Sequence, residues 1–229
     1  MQQYFSDIDF KEKDIIRLDN DVLYHLKKVL RKDDTYTFRV VNSNHEIYEG
    51  HLINTNEFIA ERKLDENNEL DVEITCILAL IKSDKFELCI QKLTELGVSR
   101  IVPYNASRSV VKYKKDSKLD RLKKIAREAS EQSHRNIIPE ICEPCDLKDL
   151  SKYMSDSNYI CYESENSLNS DIKINNSITY IIGPEGGFED EEYKKICDFG
   201  FKSVSLGKRI LRAETAAIYA SSVIVSKCQ

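Results

Sequence analysis

The chain has 229 residues, 41% hydrophobic and 32% charged, with seven glycines and four prolines, a balance that suits folded domains and excludes disordered, collagen-like and fibrous classes. Its formal net charge of −5 argues against indiscriminate nucleic-acid binding, because affinity for phosphate comes from local lysine and arginine. No run approaches the ~18 apolar residues of a membrane span, and the start MQQYFSDIDFKEKD lacks the basic and apolar regions of a signal peptide, so the cytoplasm is expected.

In chain order, residues 19–30 read as a helix, followed by short alternating runs at 36–41, 46–53 and 57–60 with Asn/Ser turns between them, a β-rich pattern. The polar stretch LDENNEL at 64–70 reads as a linker, which divides the chain into residues 1–70 and 71–229. Beyond it strands alternate with helices. Residues 72–81 form a strand whose second half is continuously apolar, as expected when both faces are covered. Asp84 and Glu87 resemble a capping box, Phe86, Cys89, Ile90, Leu93 and Leu96 share one helix face, and Gly97 is placed to stop that helix.

A strand follows at 98–104. Leu119, Leu122, Ile125, Ala126 and Ala129 then form an amphipathic stripe. Strands at 159–162 and 178–182, a helix at 189–199 with acids in its first turn, a short strand at 204–206 and a helix at 213–226 complete the chain. This alternation implies an α/β domain with a mostly parallel sheet, open and doubly wound, which binds ligands beyond the carboxyl ends of its strands.

Charge is unevenly distributed. Residues 1–70 hold ten Lys/Arg against fifteen Asp/Glu, whereas residues 112–127 hold eight basic residues against Asp116 and Asp120. That run is either a phosphate-contacting surface or a solvated helix face. Seven scattered cysteines imply reduced thiols; Cys142 and Cys145 have zinc or redox spacing, but no second pair completes a tetrahedral site. The four histidines are unclustered, so no metal is expected.

The segment IIGPEGGF at 181–188 is an apolar strand running into a proline and glycine turn ahead of a helix, where a ligand can approach the main chain closely. It lacks the Lys-Ser/Thr ending of a phosphate loop and the GxGxxG of a dinucleotide fold. Alone it fits an ordinary strand-to-helix connection. A second strand end, LGKRILRAETA at 206–216, carries another glycine loop into a helix, and the two loops together could build one pocket.

GPEGGF and SLGKRILRAETA, together with QKLTELGV at 91–98, Glu131-Gln-Ser-x-Arg135 and HLKKVLR at 25–31, resemble the RsmE family of 16S ribosomal RNA uracil-N3 methyltransferases over essentially the whole chain. The resemblance implies S-adenosylmethionine as methyl donor, small-subunit ribosomal RNA as substrate, no DNA or membrane partner, and a homodimer. It also replaces the open sheet: a small PUA-like RNA-binding barrel over 1–70 precedes a SPOUT methyltransferase domain over 71–229, whose C-terminal helix threads a trefoil knot.

Carried over by position, the cofactor pocket comprises Tyr162, Glu163, Gly183, Glu185, Gly186, Gly187, Leu206, Gly207, Ile210, Leu211 and Ala216, with Ile210 and Leu211 against the adenine. Arg212 would stabilise charge on the base oxygens and Glu185 would accept the N3 proton, the alternatives being an Arg212 ion pair with Glu185 or Glu214 and a capping role for Glu185. RNA contacts would come from His25, Arg31, Lys82, Arg108, Arg121 and Arg135. Gln2 and Gln3 stand where family members commonly carry arginine. Two other readings compete: a SPOUT methyltransferase for another RNA position, and a ribosome-assembly factor that binds RNA without catalysis.

Overall fold

The computed structural model describes residues 1–112, 119–162 and 172–228. The chain forms two compact units, one of Met1–Glu69 with Ser130–Ile137 and one of Leu70–Ala129 with Ile138–Gln229.

The first unit is built on five strands, β1 (Gln3–Phe5), β2 (Ile15–Arg17), β3 (Phe38–Val41), β4 (Ile47–Ile53) and β5 (Glu57–Leu64), in the order β1-β3-β4-β5-β2. β1 runs parallel to β3 and the other pairs are antiparallel. A register shift at Glu49/Gly50 inserts a bulge, which raises local twist and helps curl this mixed sheet into a barrel-like form. Inside lie Phe10, Phe38, Tyr48 and Phe58, with Phe38 and Phe58 rings 5.0 Å apart. Each such fully buried large side chain contributes roughly 1.5–3 kcal/mol.

The sequence pattern misses β1 and β2, because three residues are too few to show alternation. The helix expected over 19–30 is an α-helix only over α1 (Asn20–Tyr24). It continues as a wider π-helical turn at His25–Val29, closed by the Leu30 N–H donating to the His25 carbonyl at 2.9 Å.

Among the described residues the second unit holds six parallel strands, β6 (Glu73–Ala79), β7 (Arg100–Tyr104), β8 (Glu140–Ile141), β9 (Ser157–Cys161), β10 (Ser177–Ile182) and β11 (Lys202–Val204), in the order β11-β9-β10-β6-β7-β8. Both faces are covered, which explains the unbroken apolar runs. Along β6, Ile74, Cys76 and Leu78 enter one core, whereas Ile77 and Ala79 enter the other.

The first core is closed by α2 (Ser83–Glu95), α3 (Leu119–Gln132) and α5 (Ala213–Val225) through Phe86, Ile90, Leu93, Leu122, Ala126, Ala217 and Ala220. α4 (Asp190–Asp198) and a 3-10 helix at Leu147–Tyr153 close the second through Ile196 and Leu150. Ala217 and Ala220, small residues compatible with a subunit interface, are therefore spent on the intrachain core. The Tyr180 and Ser221 hydroxyls, 2.5 Å apart, join β10 to the same helix.

Two local expectations shift. The last strand lies at Lys202–Val204 rather than 204–206, which frees Ser205 and Leu206 for a loop. Asp84 and Glu87 form no capping box: α2 starts after Lys82 without a side-chain cap, and Glu87 instead binds the Arg121 guanidinium through two 2.7 Å contacts. The capping box lies at Glu189 and Glu192 of α4.

Candidate functional site

Because β11, β9, β10 and β6 are sheet neighbours, the segments leaving their carboxyl ends gather in one place. There Tyr162, the turn at 183–187, the loop at 205–207, residues 211–214 and Lys82 line one cavity of about 640 Å³. That volume lies within the ~300–1,000 Å³ usual for small-molecule sites.

The turn after β10 is held firmly. The Gly187 N–H donates to the Pro184 carbonyl at 2.9 Å, and Pro184 and Phe188 are buried on either side. A Cβ on Gly183 would stand 2.8 Å from the Phe188 ring, so only glycine brings the main chain this close. The second loop is looser. Gly207 has φ +118, a conformation that L side chains rarely adopt, yet nothing lies within 4 Å of where its Cβ would be. Its N–H donates to Ser205 Oγ at 3.2 Å.

Of the expected cofactor residues, Tyr162, Gly183, Glu185, Gly186, Gly187, Leu206, Gly207, Leu211 and Ala216 line the cavity. Ile210 is not among the lining residues; 85% exposed, it points to solvent, since the loop turns its neighbour Leu211 inward instead. Glu163 lies outside the described residues, as do Lys114, Lys115 and Lys118 of the basic run. Tyr162 is propped by the ring of Tyr193, stacked at 4.2 Å.

Arg212 and Glu185 are both exposed and both line the cavity. Among the described residues no ion pair joins Arg212 to Glu185 or Glu214; Glu214 lies 3.8 Å from Lys85 instead. Lys85 and Arg209 also line the cavity, and sequence reasoning missed both. Lys85 was legible as the residue one helical turn after Lys82. The Cys161 thiol lies in the lining, but burial pushes it up to about 12, so it stays protonated near neutral pH and is no nucleophile.

The expected RNA contacts fare unevenly. Lys82 lines the cavity, and Arg108 is exposed beside it, donating to the Gly186 carbonyl at 3.2 Å. Arg121 is exposed but tied to Glu87. Lys123 and Lys124 face solvent on α3. In the first unit Arg31 is exposed, and His25 Nδ1 lies 2.9 Å from the Tyr4 hydroxyl. Arg135 is only 4% exposed, and its guanidinium is bound by Glu69 at 2.6 Å, so the structure uses it inside that unit rather than presenting it to a ligand. Gln3 is likewise buried, donating to the Arg135 carbonyl at 2.7 Å.

Burial pushes the Cys142 and Cys145 thiols up to about 12, and among the described residues no group of three or more His, Cys, Asp or Glu is placed to hold a metal. Among the same residues no helix is long and apolar enough to cross a membrane.

Residues 68–225 match the RNA methyltransferase domain family. A ribosomal RNA small subunit methyltransferase E of Mesomycoplasma hyopneumoniae is 35% identical, covering 100% of this chain and 99% of its own. A Legionella pneumophila protein solved in complex with the cofactor SAM superposes with a TM-score of 0.91 at 28% identity, covering 98% of this chain and 97% of its own. A ribosomal RNA small subunit methyltransferase E of Neisseria gonorrhoeae, solved with S-adenosylmethionine, gives 0.90 at 26% identity, covering 99% and 98%. With the parallel sheet, the two glycine turns and the matched length all in agreement, the chain belongs to the ribosomal RNA small subunit methyltransferase E family, on the SPOUT α/β fold.

Proposed function

We propose that the protein transfers a methyl group from S-adenosylmethionine to N3 of one uridine in 16S ribosomal RNA. Membership in the family makes it a methyltransferase of small-subunit ribosomal RNA that uses S-adenosylmethionine. The single observation that carries the reading to this site is the meeting of the 183–187 turn and the 205–212 loop around one cavity.

The lining suits that donor. Ile182, Leu206, Leu211, Ala213 and Ala216 offer apolar walls for a purine, the glycine turn offers main-chain groups, and the mixed charges of Lys82, Lys85, Glu185 and Glu214 suit a zwitterionic tail. When bound, the donor supplies an activated methyl on a sulfonium, and the protein's contribution is alignment rather than covalent help.

Uracil N3 must lose its proton for transfer. Arg212, exposed at the cavity and unpaired with either nearby glutamate, stabilises negative charge developing on the base oxygens. Glu185, at the mouth, accepts the proton. Lys82, Arg108, Lys123 and Lys124 hold phosphates on this unit, and His25 and Arg31 do so on the first. In this reading residues 1–70 serve as a PUA-like RNA-binding domain, residues 71–229 as the knotted methyltransferase domain, and the enzyme works as a homodimer in the cytoplasm.

Mapping N3-methyluridine in ribosomal RNA from a strain lacking the protein tests the reading. One small-subunit position is expected to lose its mark; an unchanged map overturns the assignment. Calorimetry separates the assembly-factor alternative, which requires no binding of S-adenosylmethionine.

A further inference from the structure

Resting on that reading, we infer that Glu192 is a positioning residue: it latches the loop at 105–110, which brings Val110 to the cavity, to the glycine turn at 183–187 that lines another part of it.

Glu192 is 3% exposed and lines no part of the cavity, yet its carboxylate accepts bonds from both sides. One oxygen accepts from the Tyr104 hydroxyl at 2.5 Å and from the Ser107 N–H at 2.9 Å. The other accepts from the Glu189 N–H at 3.4 Å, completing the capping box of α4 directly behind the turn at 183–187. A capping box needs only the last of these three contacts. The first two join the end of β7 and the loop after it to the same carboxylate.

That loop reaches the site from the latch. Arg108 donates to the Gly186 carbonyl at 3.2 Å and lies 3.9 Å from Glu189, and a Cβ on Gly186 would meet Arg108 Cβ at 3.3 Å. Val110 lines the cavity while 80% exposed, which places it at the mouth. Arg108 is a surface side chain held by weak contacts, so it cannot fix the loop alone. The carboxylate can, because its bond to Tyr104 is buried and those to Ser107 and Glu189 are partly so, which limits competition from water. Glu192 therefore sets the spacing between the loop at 105–110 and the glycine turn, and exposed Val110 and Glu185 place that gap at the mouth, where the RNA base enters in this reading.

Two variants separate the halves of the latch. Tyr104→Phe removes one loop-side bond and leaves the capping box intact; Glu192→Gln, with one acceptor oxygen instead of two, cannot satisfy both sides. The full-length protein is assayed on small ribosomal subunits from a strain lacking it, with calorimetry for S-adenosylmethionine and hydrogen exchange at the Ser107 amide. Tyr104→Phe is expected to raise KM for the subunit about fivefold with donor affinity within about twofold, and Glu192→Gln to exceed about twentyfold in kcat/KM. Both speed Ser107 exchange.

Variants that melt earlier but keep the subunit KM and Ser107 exchange of the parent overturn the latch and leave Glu192 a structural cap. A parent protein that neither binds the donor nor methylates the subunit overturns the functional reading, and the positioning role with it. Ser107 exchange then still reports whether the latch itself forms, so the two failures stay distinct.

Discussion

The two loops that meet at the cavity are built in opposite ways. The turn at 183–187 is braced by buried Pro184 and Phe188, by an internal hydrogen bond and by a capping box behind it. The loop at 205–212 is tied near its start by two hydrogen bonds between the Ser205 hydroxyl and Gly207, and Lys208, Arg209, Ile210 and Arg212 all stand exposed. The braced turn supplies fixed main-chain geometry, which lowers the ordering cost of binding a ligand there. The open loop carries exposed cations, Arg212 among them, and in the proposed reading these meet the base.

That contrast is broken most severely if its functional halves can be exchanged. Arg212→Ala, in the open loop, is expected to slow single-turnover methylation about a hundredfold, the usual cost of one preorganised charge, while donor affinity holds within about twofold. Equal loss of both would move Arg212 into cofactor binding. Gly183→Ala, in the braced turn, forces a methyl against the buried Phe188 ring. Overpacking of roughly 1–3 kcal/mol should weaken S-adenosylmethionine about tenfold or more by calorimetry. An unchanged affinity would mean that the turn yields as freely as its counterpart.

Gly207→Ala meets open space, so only backbone strain of about 1 kcal/mol opposes it, and donor affinity should fall about fivefold. A loss matching that of Gly183→Ala would show the open loop to be as constrained as the braced one.

The smallest effect is one of pH. Burial, and then the hydrogen bond to Glu192, raises the Tyr104 phenol above its usual 10.0, so the unfolded chain ionises first as the solution becomes alkaline. The stability this group contributes is complete below pH 10 and is lost as pH rises toward its folded value. Thermal melts at pH 8 and about 10.5 should show a larger drop for the parent than for Tyr104→Phe. Identical drops would remove the latch from the list of what braces the turn.

Much of this was legible in the residues. Continuous apolar runs such as residues 76–81 announced a sheet covered on both faces, and the stripes on α2 and α3 announced which helix faces close it. GPEGGF and LGKRILRAETA mark both glycine loops in the sequence alone. Local pattern failed where contacts are remote. β1 and β2 are too short to show a period, the π-helical turn obeys no α-helical rule, and Ile210 and Leu211 are equally apolar although only Leu211 faces inward. Arg135 reads as a surface cation, whereas in the fold it is buried and paired with Glu69, distant in sequence.

The sequence by itself determined most strands and helices of the second unit, though not β8 or the 3-10 helix at Leu147–Tyr153, and the two glycine loops, because these depend on neighbours within a few residues. The tertiary structure alone decided that β9, β10 and β11 lie side by side, that their loops share one cavity, and that Glu192 reaches Tyr104, 88 residues away. Such pairings are set by which buried surfaces and polar groups satisfy one another across the fold, and no short window of sequence carries that information.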